Sequence, residues 1–207
     1  MQQKKDNSSK DKKIQLRKRG LSELDKPIVM ETHAGTGRIY KECYETRVET
    51  GVCFEIDEPK ADILAAQRPH WFVYEGDNEY CIRQGVGASL EINFFDLDPY
   101  GQPWGVIDAL FESERPFPDK IVLAVQDGLR QKLATNSGWQ IKNIRPAIEK
   151  WGNISLYDNY LEVAQYLLEQ QAVKQGYNLT KWGGYYCGTN DDLTHYLAVL
   201  EKNADSR

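Results

Sequence analysis

Acidic residues close four successive apolar runs of this chain, and their spacing is the first chemical signal in it. Glu31 lies in the run Ile28–Thr32, Glu55 in Gly51–Ile56, Asp77 follows Trp71–Glu75, and Asp96 and Asp98 end Glu91–Leu97. If these runs are strands of an open parallel sheet, ligands bind in the crevice outside the strands' carboxyl ends. A carboxylate placed there accepts hydrogen bonds from ribose hydroxyls or from an exocyclic amine. Glu55 stands twenty-four residues after Glu31, close to the roughly twenty expected of a ribose-binding acid. Asp57 is the candidate cap of the next helix. Asp77 is placed to accept from the amine of adenine. Ile56 and Asn78 adjoin these two acids and belong to the same candidate ligand set.

Between the first run and the helix after it lies Glu31-Thr32-His33-Ala34-Gly35-Thr36-Gly37. A small, glycine-containing turn lets a ligand approach the backbone closely. Gly35 and Gly37 begin a G-x-G-x-x-G pattern, but Tyr40 stands where its last glycine belongs. Glu31 would also repel a pyrophosphate. A cationic ligand without phosphate, such as S-adenosylmethionine, avoids that repulsion. The fourth run ends Asp96-Leu97-Asp98-Pro99-Tyr100-Gly101. Asp98 and the carbonyl of Pro99 offer acceptors to an exocyclic amine and would aim its lone pair at a methyl group. Tyr100 offers a ring for a planar base. The bland alternative is a turn in which Pro99 and Gly101 serve geometry and Asp98 caps. Asp98, Pro99 and Tyr100 form the expected catalytic group. Glu31, His33, Ala34, Gly35, Gly37 and Asp96 are expected at the cofactor, with Glu55, Ile56, Asp77 and Asn78.

The elements that must position these residues follow from periodicity. Five short apolar runs, the four above and Lys120–Gln126, alternate with stretches of helical spacing, which argues for βαβ units and a mainly parallel sheet. Ile39, Tyr40, Cys43 and Tyr44 recur at helical spacing after the first strand. Near the C-terminus Ser155 and Asp158 resemble a capping box. Leu156, Tyr160, Leu161, Ala164, Leu167 and Leu168 then form a helical stripe that Gly176 can end. Tyr177–Cys187 and His195–Glu201 read as an antiparallel hairpin. His195 reads as an ordinary strand residue. Residues 1–20 are polar and basic and read as a disordered arm, with one domain over 21–207.

Glu31-Thr32-His33-Ala34-Gly35-Thr36-Gly37 resembles the first motif, E/D-x-G-x-G-x-G, of class I S-adenosylmethionine-dependent methyltransferases, with His33 in place of the first glycine. Asp-Leu-Asp-Pro-Tyr-Gly is similar to the fourth motif of the tRNA guanine-N2 methyltransferases, where Asp-Pro-Phe-Gly is usual. The resemblance covers about residues 28 to 201. It implies a doubly wound, mainly parallel seven-stranded α/β sheet with a C-terminal antiparallel hairpin, and S-adenosyl-L-methionine as cofactor. It also implies direct methyl transfer to a nucleophile, with Asp98 orienting the acceptor and Asp96 facing the cofactor.

Composition narrows the setting. The 207 residues are 41% hydrophobic, enough for a sizeable core. No run of apolar residues is long enough for a membrane span, and no secretory signal is legible. Four scattered cysteines, three histidines and no C-x-x-C spacing give no zinc framework and point to a reducing, cytoplasmic setting. Residues 1–27 hold nine Lys/Arg and four Asp/Glu, a net +5, in a chain of net −5, so the remainder carries −10. A basic segment on an acidic body suits tRNA, other RNA or DNA as methyl acceptor. The alternatives are a methyltransferase for a small molecule or protein, and a non-catalytic adenosyl-ligand binding module. Nothing in the sequence fixes the oligomeric state.

Overall fold

The computed structural model describes residues 9–135, 138–152, 156–188 and 190–203. Seven strands, β1 (Val29–Glu31), β2 (Gly51–Glu55), β3 (Trp71–Glu75), β4 (Phe94–Leu97), β5 (Lys120–Asp127), β6 (Tyr177–Cys187) and β7 (Leu193–Lys202), form one sheet in the order β3-β2-β1-β4-β5-β7-β6. The first five pair in parallel. β7 enters antiparallel between β5 and β6. The strand order reverses between β1 and β4, the switch point where such sheets open a crevice. The expected doubly wound sheet and C-terminal hairpin are both present.

Helices cover both faces, so β4 is buried throughout, as a strand covered on both sides must be. Met30, Val52, Phe54, Phe95, Leu97 and Val125 point to one face, packed against α4 (Trp104–Glu112) and α7 (Tyr160–Lys174). Val29, Cys53, Phe94, Val122 and Val199 point to the other. Two short helices begin directly at strand ends. The Asp57 carboxylate accepts from the Lys60 amide at the start of α2 (Glu58–Gln67), and that of Asp77 from the Tyr80 amide at the start of α3 (Asn78–Arg83). The helix expected over Ile39–Tyr44 is a π-helical turn, Tyr40–Tyr44, that buries Tyr40, Cys43 and Tyr44. Ser155, expected to cap the helix that begins near it, lies outside the described residues.

The disordered arm expected over residues 1–20 does not hold from residue 10 onward. Lys10–Leu21 forms helix α1, with Ile14, Leu16, Arg17, Gly20 and Leu21 buried against the sheet. Ile14, Arg17 and Leu21 follow one another at intervals of three and four, the spacing of a single helix face. The approach is close: a Cβ at Gly20 would lie 2.7 Å from Leu197 and 2.8 Å from Phe94. No helix among the described residues is long and apolar enough to cross a membrane.

Candidate active site

β1 hands the chain into the glycine turn. The Ala34 amide donates to the Phe54 carbonyl and the Gly37 amide to the Ala34 carbonyl, which ties the turn to the end of β2. Gly35 and Gly37 have φ of +55° and +74°, a region open to glycine at little cost. The two differ in surroundings. A Cβ at Gly37 would touch Leu64 and Gln67 of α2, whereas at Gly35 it would meet no atom within 4 Å. Gly35 therefore presents bare backbone to open space.

His33, in the place of a glycine, is accommodated by turning into the protein. Its Nδ1 lies 2.8 Å from the Thr32 hydroxyl, which itself donates to the Asp96 carbonyl. With the hydroxyl hydrogen used there, His33 carries its proton on Nδ1 and accepts at Nε2 from Asn78 Nδ2, 3.0 Å away. The same Asn78 nitrogen donates to the Thr32 carbonyl at 2.7 Å. Burial holds the imidazole below its ordinary pKa, against the pull of Asp98 and Asp96, consistent with a neutral ring. His33 and Asn78 thus pin the end of β1 to the start of α3, and both hydrogens of the Asn78 amide are engaged within the protein.

The next two strand ends keep acceptors available. One Glu55 oxygen takes the amides of Ile56 and Asp57. The other has no hydrogen-bond partner among the described residues. Asp77 uses one oxygen as a helix cap. Ile56 beside them is largely exposed.

Two expected cofactor residues are placed elsewhere. Residues at alternate positions of a strand share a face, and Glu31 and Asp96, paired across β1 and β4, both point to the α1 face. Glu31 is buried on Arg68 at 2.6 Å, whose guanidinium lies over Tyr40 and Trp71. Asp96 is fully buried. It accepts from Arg17 Nε at 2.8 Å and Nη2 at 2.6 Å, and from the Tyr44 hydroxyl at 2.5 Å. Its side chain lies on the face of the sheet that α1 covers. An acid at a strand end reads the same in sequence whichever face it takes.

Asp98, two residues on, continues toward α1. Its Oδ2 pairs with Lys13 and lies 3.9 Å from Arg17. Lys13 and Arg17 are one helical turn apart, about 6 Å of rise, and Asp96 and Asp98 are two strand residues apart, about 6.6 Å. The two pitches match, so two cations of α1 register on two acids of β4. Asp98 Oδ1 is buried and has no hydrogen-bond partner among the described residues. The Pro99 carbonyl, expected to be open to the acceptor, accepts from Gln126 Nε2 at 2.9 Å. Gln126 Oε1 in turn takes Lys13 at 3.3 Å and His195 Nε2 at 3.1 Å, and the Tyr185 hydroxyl lies 2.8 Å from His195 Nδ1. Tyr100 is fully exposed.

Lys13, Arg17, Gln126 and Tyr185 were not among the residues the sequence singled out, and His195 was read only as an ordinary strand residue. The stripe Ile14–Arg17–Leu21 was the available signal for the first two, hidden inside a run of charge. A cavity of about 300 Å³ between α4, α7 and the segment 142–146 is lined by Asp108, Asn143 and Gln171. It lies in the helical layer, away from the strand ends.

No protein-family model and no curated protein sequence matches this chain. Solved structures do. Trm1 from Pyrococcus horikoshii, in complex with S-adenosyl-L-methionine, aligns with a TM-score of 0.59 at 13% identity, over 94% of this chain and 55% of that one. TrmK from M. capricolum, in complex with S-adenosyl-homocysteine, aligns at 0.52 and 11% identity, over 90% and 68%. The N-methyltransferase NodS from Bradyrhizobium japonicum WM9 aligns at 0.52 and 9% identity, over 96% and 98%. The chain spans about half the length of the Trm1 chain, and at these identities the likeness establishes the fold, which is that of the class I methyltransferases.

Proposed function

We propose that this protein is an S-adenosylmethionine-dependent methyltransferase that acts on an exocyclic amine of a nucleic-acid base. The observation that carries the reading is the unpartnered Asp98 Oδ1 at the switch point, with the open backbone of Gly35 in the turn after the neighbouring strand. The residues fit an adenosyl cofactor. Gly35 leaves room for it, Glu55 has an acceptor for ribose hydroxyls, Asp77 has one for the adenine amine, and Ile56 offers exposed apolar surface beside them. When bound, the cofactor supplies an electrophilic methyl group on a sulfonium.

The chain's own contribution is placement. Asp98 accepts a hydrogen of the acceptor amine at Oδ1 and so orients the nitrogen lone pair. Gln126 holds the Pro99 carbonyl and keeps the backbone after Asp98 in one position. Tyr100, which packs on nothing, offers a face to the base. Two of the solved structures with this fold are named as Trm proteins, which supports a nucleic-acid acceptor.

Release of S-adenosylhomocysteine over a panel of total tRNA, rRNA, DNA and cell extract tests the reading. Asp98→Asn keeps the size of the side chain and removes its charge and one acceptor. Turnover should fall by about 10²–10³, by analogy with loss of one transition-state contact, with S-adenosylhomocysteine affinity nearly unchanged. Full turnover by that variant would leave Asp98 as a turn residue.

A further inference from the structure

Around Asp98 the protein has already balanced its own charges. The carboxylates of Asp96 and Asp98 meet the cations of Arg17 and Lys13. The rings and phenols that touch this cluster add nothing to the sum, Glu31 beside it is balanced by Arg68, and Glu55 and Asp77 act on His33 from the adjoining strand ends. Burial lowers the pKa of His33 and brings that of His195 to about 3, so both rings are neutral. Burial likewise raises the phenols of Tyr44 and Tyr185, which stay protonated. Little of the cluster meets water: the side chains of Asp98 and Lys13 are 14% and 19% exposed, and those of Asp96 and Arg17 at most 1%.

We propose that Lys13 is a specificity-determining residue, whose ammonium cancels the charge of Asp98 so that the site takes an uncharged N–H acceptor and rejects a cationic amine. Asp98 Oδ1 has one unmet need, a hydrogen-bond donor, and an aromatic or amide N–H meets it without bringing charge. An alkylammonium would place a third cation against two carboxylates in a poorly solvated cluster, where an unpaired charge is costly. Lys13 is held for this task by two partners on different strands, Asp98 after β4 and Gln126 on β5.

This inference rests on the reading of Asp98 as the acceptor's partner and goes beyond it in naming the acceptor's charge. The test uses the full chain saturated with S-adenosylhomocysteine and three probes followed by ligand-observed NMR at pH 7: guanosine, benzamide and n-butylammonium. The wild type should bind a neutral probe at least tenfold more tightly than butylammonium. Lys13→Met and Lys13→Gln, accepted once S-adenosylhomocysteine raises their melting temperature as it does the wild type's, should shift that ratio at least tenfold toward butylammonium. Lys13→Arg should restore the neutral preference. A wild type that takes butylammonium as well as the neutral probes, a ratio unmoved in the Met and Gln variants, or no binding of any probe overturns the inference. A shifted ratio for benzamide with no binding of guanosine upholds it and removes the nucleic-acid base as acceptor.

Discussion

Arg17 and Asp96 meet where the sequence offered no hint of a pair, seventy-nine residues apart. The contact uses two guanidinium nitrogens on two carboxylate oxygens, the geometry in which a charge pair is strongest. Tyr44 adds a third hydrogen bond to the same carboxylate. Such a pair contributes modestly while intact, because both ions lose their water, but breaking it strands the remaining charge. Arg17→Met should therefore destabilise the protein by about 3–5 kcal/mol, read as a lower urea midpoint at constant slope. The double variant Arg17→Met/Asp96→Leu should recover part of that loss, since no buried charge is left over. Equal losses in the single and double variants would assign the effect to packing of the arginine stem. Glu31 and Arg68 form a second buried ion pair one strand away, through a single guanidinium nitrogen. Both acids stood in the expected ligand set because acids at the ends of parallel strands usually meet a ligand. Here their strand positions turn them to the covered face instead. Asp98, Glu55 and Asp77 are the acids of that set with an oxygen that has no hydrogen-bond partner among the described residues.

α1 is the element on which sequence and structure part most clearly. The strands were legible because β5 carries the unbroken apolar run 121–125, because β4 is apolar but for Asp96, and because Asp57 and Asp77 are side-chain caps placed at strand ends. Helix α1 is mostly charged, and its apolar face is interrupted by an arginine that serves as a buried ion-pair partner. Local pattern cannot announce a role completed seventy-nine residues later. Gly20 gives the sharpest test of how α1 is seated. Alanine ordinarily favours a helix over glycine by about 1 kcal/mol, so on propensity alone Gly20→Ala stabilises. The added methyl would fall within 3.1 Å of Leu197, Phe94 and Val122, and overpacking of this kind costs about 1–3 kcal/mol. Denaturant titration should find the variant less stable than the wild type. A gain in stability would mean that α1 does not lie so close on the sheet.

At the scale of the whole molecule, the charge asymmetry acquires a direction. Lys13 reaches Asp98 beyond the carboxyl end of β4, and Arg17, one turn later, reaches Asp96 within it. The N-terminal end of α1 therefore stands at the carboxyl edge of the sheet beside Asp98, where the proposed acceptor would enter. The described start of the basic segment, the first turns of α1, thus flanks the candidate site, while residues 28–207 carry −10. A polyanion approaching this molecule is repelled by most of its surface and attracted beside the crevice. Lys12 and Arg19 are exposed and seven residues apart, so they share one stripe of α1. That stripe runs along β6, where Lys12 lies over the Tyr185 ring and Arg19 lies near Gly183. Neither is part of the cluster around Asp98. If each neutralises one phosphate, each releases about 0.9 of a counterion on binding duplex nucleic acid. The variant Lys12→Gln/Arg19→Gln should then lower the slope of log affinity against log salt by roughly 1.8, with weaker binding at low salt and S-adenosylhomocysteine affinity unchanged. Fluorescence anisotropy with labelled total tRNA and with duplex DNA, from about 50 to about 200 mM salt, measures both slopes. A reduced slope for tRNA alone favours an RNA acceptor, and a slope unchanged for both nucleic acids removes this face of α1 from any phosphate contact.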